Sequence, residues 1–439
     1  MINQRSFDKV KSSLFFNQEW RMPCCEDYYF GNIPNTIAGL FDLEQQGRKL
    51  PKDTLNALKE KYSTVVFFFL DAFGWSFFQQ ALSMDLPAVK RFVNDGNVSL
   101  ITSMFPSTTA VHVHTFNTNI PPSQTGIYEW RMYEKSIDTL ISPLMFSTVE
   151  DIHIKDKDHK RDTLVTRGIA KPEDIFTVSP YYRFLQTNGI TVYDFCPQEF
   201  VNSSYNTVVT AEINRIGYES YETGIKHLYE KVFESRKQKE KGTFIKFYSP
   251  LFDSVSHDKG GNSQELNDAL KYFFTLLENE FFKPLSQDNG KDVAIILSAD
   301  HGHIDINPNE TIYLDKEMPE IIDYFATTNS GIPLYPCGSR RDLFLHVKEE
   351  YRQELKRKLS KILEGKAKVF YIEEIMKLFG DIEVSKRFEE NVGNLVILPL
   401  GNQGVFLAGE NGKYKKGNIG EHGGLSSEEM DIPFGVLNF

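Results

Sequence analysis

Four short apolar runs in this sequence each stop on polar ground: STVVFFFLD at 63–71, NVSLITS at 97–103, GTFIKFYSP at 242–250 and DVAIILSAD at 292–300. Alternating with helical patterns, such runs predict an α/β fold, a mostly parallel central sheet with helices on both faces. Ligands in open α/β sheets bind outside the carboxyl ends of the strands. The pattern therefore brings Asp71, Asp253 and Asp300 to one rim of one sheet.

A chain of 439 residues, 41% of them hydrophobic, is long enough for one large core and a smaller subdomain. Between 306 and 418 the segments RRDLFLHVKE, EEYRQELKRKLSKILEG, KVFYIEEIMKLFG, NLVILPLG and GVFLAGENG alternate strand and helix patterns of their own. We read 306–418 as an inserted α+β subdomain, cap-like by its position, within a core made of 1–305 and 419–439. The charged run at 349–365 reads as a solvated helix face.

The balance of 49 Lys and Arg against 60 Asp and Glu, a formal net charge of -11, argues against a general binder of nucleic-acid polymers or anionic membranes. Cys24, Cys25, Cys196 and Cys337 are too few and scattered for a disulfide framework or a CxxC zinc knuckle, and read as free thiols in a reducing compartment. No secretory signal stands out, and VVFFFL at 65–70 is far shorter than the ~20 residues that span a bilayer. The expectation is a soluble cytoplasmic protein acting on a small molecule.

The run SADHGHIDI at 298–306 releases Asp300 and His301 side by side from a strand end. FDSVSH sets Asp253 and His257 at i and i+4, GEHGG places His422 among glycines, and Asp71 follows VVFFFL directly. Each pattern alone is as ordinary as a helix cap or a glycine turn. Together they offer six oxygen and nitrogen donors without cysteine, which suits two zinc or manganese ions better than structural zinc. In SMFPSTTAVHVHTF, Ser107 is placed to cap a helix starting near Thr108, turning hydroxyls and free backbone N–H groups toward one spot, where a phosphoryl oxygen fits.

LDAFG, FPSTTAVHVHTFNTNIPPSQTGIYEW, FDSVSH, SADHG and GEHGG occur in the order seen in the alkaline phosphatase superfamily, and most resemble its type I phosphodiesterase/nucleotide pyrophosphatase branch. The resemblance implies that Thr109 is the nucleophile. It also implies that Asp71, Thr109, Asp300 and His301 hold one metal, and that Asp253, His257 and His422 hold the other. The implied activity is hydrolysis of a phosphodiester or nucleotide pyrophosphate through a phospho-threonine intermediate. Two departures stand out. An asparagine that helps hold the phosphoryl oxygen in such enzymes falls here on Trp130, and the usual FPNH after the nucleophile becomes Ala110, Val111, His112 and Val113. Substitutes for the lost donor are the Thr109 backbone N–H, His112, His114 and Arg131, and Trp130 either stacks on substrate or packs in the core. A phosphomonoesterase of the same superfamily and a non-catalytic metal-binding homologue are the alternatives. No sulfatase or phosphomutase nucleophile motif occurs.

Overall fold

The computed structural model describes all residues except 17–19, 45–46, 152–159, 178–179, 212, 238–240, 288–291, 381–382 and 415–416. The four apolar runs become strands of an eight-stranded sheet: β1 (Ile2–Asn3), β2 (Thr64–Leu70), β3 (Asn97–Thr102), β4 (Ile190–Pro197), β5 (Asn214–Tyr218), β6 (Gly242–Ser249), β7 (Val293–Ser298) and β8 (Asp431–Asn438), in the order β1-β3-β8-β7-β2-β6-β4-β5. Every residue of β2 is buried, as expected of a strand covered on both faces. All neighbouring pairs are parallel except those of β8, which runs against both β7 and β3. The carboxyl ends of β2, β3, β6 and β7 therefore share one rim.

The excursion after β7 is closed at its neck by an antiparallel pairing of Ile304–Asp305 with Gly420–Glu421. Inside it, Cys337–Gly338, Leu343–Leu345, Leu395–Pro399 and Ala367–Tyr371 form a four-stranded sheet. The helix Arg352–Ile362 packs on that sheet through Leu355 and Leu359. Its charged face pairs outward, with Arg352 on Glu373, Lys356 on Glu374 and Lys358 on Glu354. Two buried ion pairs fasten the insertion to the core: Arg340 with Glu421 at 2.7 Å, and Arg341 with Glu429 at 3.0 Å.

One grouping departs from the sequence reading. Met132–Glu134, Thr139–Ser142 and Ser147–Thr148 form a separate three-stranded sheet. Met132, Ile141 and Phe146 share an apolar cluster with Phe344, Val396 and Leu398 of the inserted sheet. A sheet this small cannot bury its own apolar face, so this part of 1–305 packs on the insertion as well as on the main core. Among the described residues, no helix is long and apolar enough to cross a membrane.

Candidate metal centre and active site

Asp71 leaves the end of β2, and the next residue, Ala72, takes a left-handed conformation at φ 60°. That turn aims the Ala72 N–H at Asp300 Oδ1, 3.0 Å away, and the His301 N–H reaches the same oxygen at 2.9 Å. The two loops approach so closely that a Cβ on Gly74 would sit 2.5 Å from the Gly302 Cα, and a Cβ on Gly302 would be crowded at 2.1 Å by the Glu428 carbonyl oxygen of the segment before β8. Glycine at both positions is what allows the β2 and β7 loops to present their carboxylates side by side.

The helix Leu251–Lys259 after β6 holds Asp253 and His257 on one face. Asp253 Oδ1 lies 3.3 Å from His257 Nε2, 2.9 Å from His303 Nε2 and 3.7 Å from His422 Nε2. The other ring nitrogens are engaged: Nδ1 of His257 with the Gly420 carbonyl, of His422 with the Ser107 carbonyl, of His301 with the Gly302 carbonyl, and of His303 with Ser256 Oγ. A carbonyl accepting from Nδ1–H fixes the tautomer that leaves the Nε2 lone pair free, the arrangement found behind metal-ligating histidines.

Two donor groups result, in each of which the ligand atoms lie within 4.8 Å of one another: Asp253, His257, His303 and His422, and Asp71, Asp253 and His301. Asp253 belongs to both, where the sequence assigned it to one. Asp300 Oδ2 lies 3.6 Å from His301 Nε2, buried and without a hydrogen-bond donor. An orphaned buried carboxylate oxygen beside this donor set fits divalent cations.

Electrostatics agree with that fit. Burial, with Asp300 and Asp253 adding to it, pushes the Asp71 carboxyl far above its ordinary range, and burial raises Asp300 to about 7. Burial also lowers His301, His303 and His422, the last to about 4. Asp253 goes the other way: burial alone would raise it, but His257, His303 and His422 hold it below the usual carboxylate range. The imidazoles of His301, His303 and His422 are thus neutral and free to ligate near neutral pH.

Thr109 stands at the first turn of the helix Thr109–Thr118, with its Oγ1 3.4 Å from Asp71 Oδ1 and 3.2 Å from His301 Nε2. The Tyr248 hydroxyl donates to the second Asp71 oxygen. Ser107 does not cap the helix as expected. Its hydroxyl donates to the Gly424 carbonyl and accepts from the Gly423 N–H, tying the Thr109 loop to the turn that carries His422. Thr108 takes the N-cap position with no side-chain cap bond.

A cavity of about 80 Å³ opens on Thr109, walled by Trp130, Leu144, Arg161, Phe200, Tyr205 and Tyr248. None of its described lining residues comes from 306–418, so the wall over Thr109 is built from segments of the 1–305 region. The partly exposed Trp130 faces this cavity.

The comparisons with known proteins follow the geometry. Residues 65–425 match the type I phosphodiesterase / nucleotide pyrophosphatase family. The chain belongs to that family. No curated protein matches the chain in sequence. Among solved structures, murine ectonucleotide pyrophosphatase / phosphodiesterase 5, an inactive form in complex with AMP, aligns at TM-score 0.60 and 15% identity over 86% of this chain and 88% of its own. The human counterpart aligns at TM-score 0.61 and 14% identity, over 85% and 87%. These likenesses establish the shared α/β fold.

Three of the expected substitutes for the asparagine are placed elsewhere in the chain. His112 is fully buried: Nδ1 bonds the Thr108 carbonyl at 2.7 Å, and Nε2 meets Ser103 Oγ at 2.8 Å and the Met104 N–H at 2.9 Å. With both ring nitrogens engaged it supports the loop that carries Thr109 and is not free for a substrate contact. His114 is buried against Tyr205, and Arg131 lines a different cavity beside Phe406. The sequence reading also missed His303 and Tyr248. His303 had a signal, since SADHGH places it two residues beyond His301 in the same glycine turn; Tyr248, at the end of β6, had none.

Proposed function

We propose that the chain hydrolyses a phosphodiester or nucleotide pyrophosphate with Thr109 as nucleophile. One observation carries this reading: Thr109 Oγ1 sits within 3.4 Å of both Asp71 and His301, on a helix start, at the mouth of a cavity. Two divalent cations, held by Asp253, His257, His303 and His422 and by Asp71, Asp253, Asp300, His301 and Thr109, would favour the ionised Thr109 oxygen and offset charge on the phosphoryl oxygens. The nitrogen-rich group suits zinc; the carboxylate-rich one accepts zinc or manganese.

The residues of the chain supply orientation. Tyr248 holds Asp71, and the Ser107 bonds to Gly423 and Gly424 keep Thr109 and His422 in one frame. The first-turn N–H groups of the Thr109 helix face an anionic phosphoryl group favourably. Thr109 Oγ bonds to phosphorus as the leaving-group oxygen departs, and water then cleaves the phospho-threonine ester. The AMP bound to the murine relative supports a nucleotide among the substrates, with the partly exposed Trp130 at the cavity available to a ring that extends outward from it.

The test is the ratio of hydrolysis rates on bis(p-nitrophenyl) phosphate and p-nitrophenyl phosphate with zinc- or manganese-loaded protein. The account expects the diester to be preferred and Thr109→Ala to lower turnover by ~10³-fold or more. Undiminished turnover in Thr109→Ala would remove the nucleophile assignment, and a preference for the monoester would move the reading to a phosphomonoesterase.

A further inference from the structure

Resting on the reading of Thr109 as the site of attack, the charges around its cavity narrow the substrate class. The described charged residues in the cavity wall are Arg161, Lys246 and Asp194. Lys246 and Asp194 neutralise each other at 3.2 Å across β6 and β4, both almost fully buried, and Lys246 also donates to Asn117 Oδ1. Arg161 stands apart. Its guanidinium lies 4.7 Å over the Phe200 ring, and among the described residues it makes no ion pair within 4.0 Å and no side-chain hydrogen bond. Glu199 and Asp162 act on it only at longer range, and burial lowers its pKa despite them.

A guanidinium has five N–H donors in a fixed fork matched to phosphate oxygens, and leaving it half-desolvated without an acceptor is costly unless a ligand completes it. Phe200 covers one face of the guanidinium, and Arg161 lines the same cavity as Thr109, Trp130 and Tyr248, within reach of what enters it. A cavity of about 80 Å³ takes a phosphoryl group and little more, so a larger substrate extends outward from it.

We infer that Arg161 is the substrate-phosphate clamp of this enzyme and contributes more to turnover of substrates carrying a phosphate charge beyond that of a simple diester than to turnover of the diester itself. That charge has two sources of the same chemistry: the second ionisation of a phosphomonoester at the reacting phosphorus, or the neighbouring phosphate of a nucleoside polyphosphate.

The experiment compares wild type, Arg161→Met and Arg161→Lys, each checked for folding by circular dichroism. The readout is kcat/KM on bis(p-nitrophenyl) phosphate, p-nitrophenyl phosphate and ATP. The inference expects Arg161→Met to lose at least about tenfold more on one or both charged substrates than on the diester, with Arg161→Lys recovering part of the difference. A selective loss on p-nitrophenyl phosphate assigns the reacting group, and one confined to ATP assigns the neighbouring phosphate. An equal loss on all three substrates, or no loss, overturns the inference. Calorimetric binding of inorganic phosphate to metal-loaded Thr109→Ala protein, with and without Arg161→Met, needs no turnover. If wild type hydrolyses none of the three but phosphate binding still weakens about tenfold with Arg161→Met, the clamp stands and the catalytic reading falls.

Discussion

His303 Nε2 lies 2.9 Å from Asp253 Oδ1, closer than either His257 or His422, the two histidines that the motifs pair with Asp253. Ser256, one turn of helix beyond Asp253, holds the opposite nitrogen of the same ring at 3.0 Å. The first donor group therefore has four protein ligands converging on it, and four protein ligands suffice for a tetrahedral ion.

His303→Ala should accordingly weaken one of two bound cations by ~10–100-fold, measured by calorimetric titration of the metal-free protein with zinc. Cobalt substitution gives a second readout, because the visible bands of a four-coordinate ion weaken when a ligand is lost. An unchanged zinc isotherm and cobalt spectrum would confine His303 to a supporting hydrogen bond.

Asp253 reaches both donor groups, so Asp253→Ala should empty both and not one. Elemental analysis of dialysed protein would read this directly. The melting-temperature rise on adding zinc, a consequence of binding to the folded state alone, should vanish with it.

Tyr248→Phe removes the donor that holds Asp71 against Thr109 while leaving the ring in the cavity wall. The expected result is a fall in kcat of roughly tenfold with metal content retained, the usual scale for a lost supporting contact. Loss of metal with unchanged activity per bound ion would point to folding instead.

The pair between Arg341 and Glu429 gives a stability prediction with a definite pH sign. Burial raises the Glu429 carboxyl, and Arg341, Ser426 and the Gly424 N–H outweigh it, so the group ends below its ordinary 4.5. A carboxyl depressed in the folded state contributes stability that is present above the unfolded value and lost as pH falls through the folded one. Melting temperature should therefore decline below about pH 4.5. Glu429→Gln strands a buried guanidinium, costs ~3 kcal/mol or more at neutral pH, and flattens the acid limb of the curve.

Much of this was legible in the chain because strand ends are local. VVFFFL and VAIIL are continuous apolar runs, and the polar residue at which each stops, Asp71 or Asp300, marks the sheet rim without any knowledge of the fold. His422 was readable because its flanking glycines stand out. The partners contributed across long loops were not legible. Arg161, Phe200 and Tyr248 lie in segments with no motif, and their meeting around Thr109 depends on β4 and β6 pairing side by side. His112 misled for the opposite reason: it stands next to the motif in sequence, but a helix start turns it inward to Ser103 and Met104.

The most direct measurement of the central claim is the stereochemical course at phosphorus, using a chiral phosphorothioate diester hydrolysed in heavy-oxygen water. Attack by Thr109 followed by water is two displacements, each inverting the centre, and predicts net retention of configuration. Net inversion would mean that water attacks the substrate directly, and Thr109 would no longer be the nucleophile.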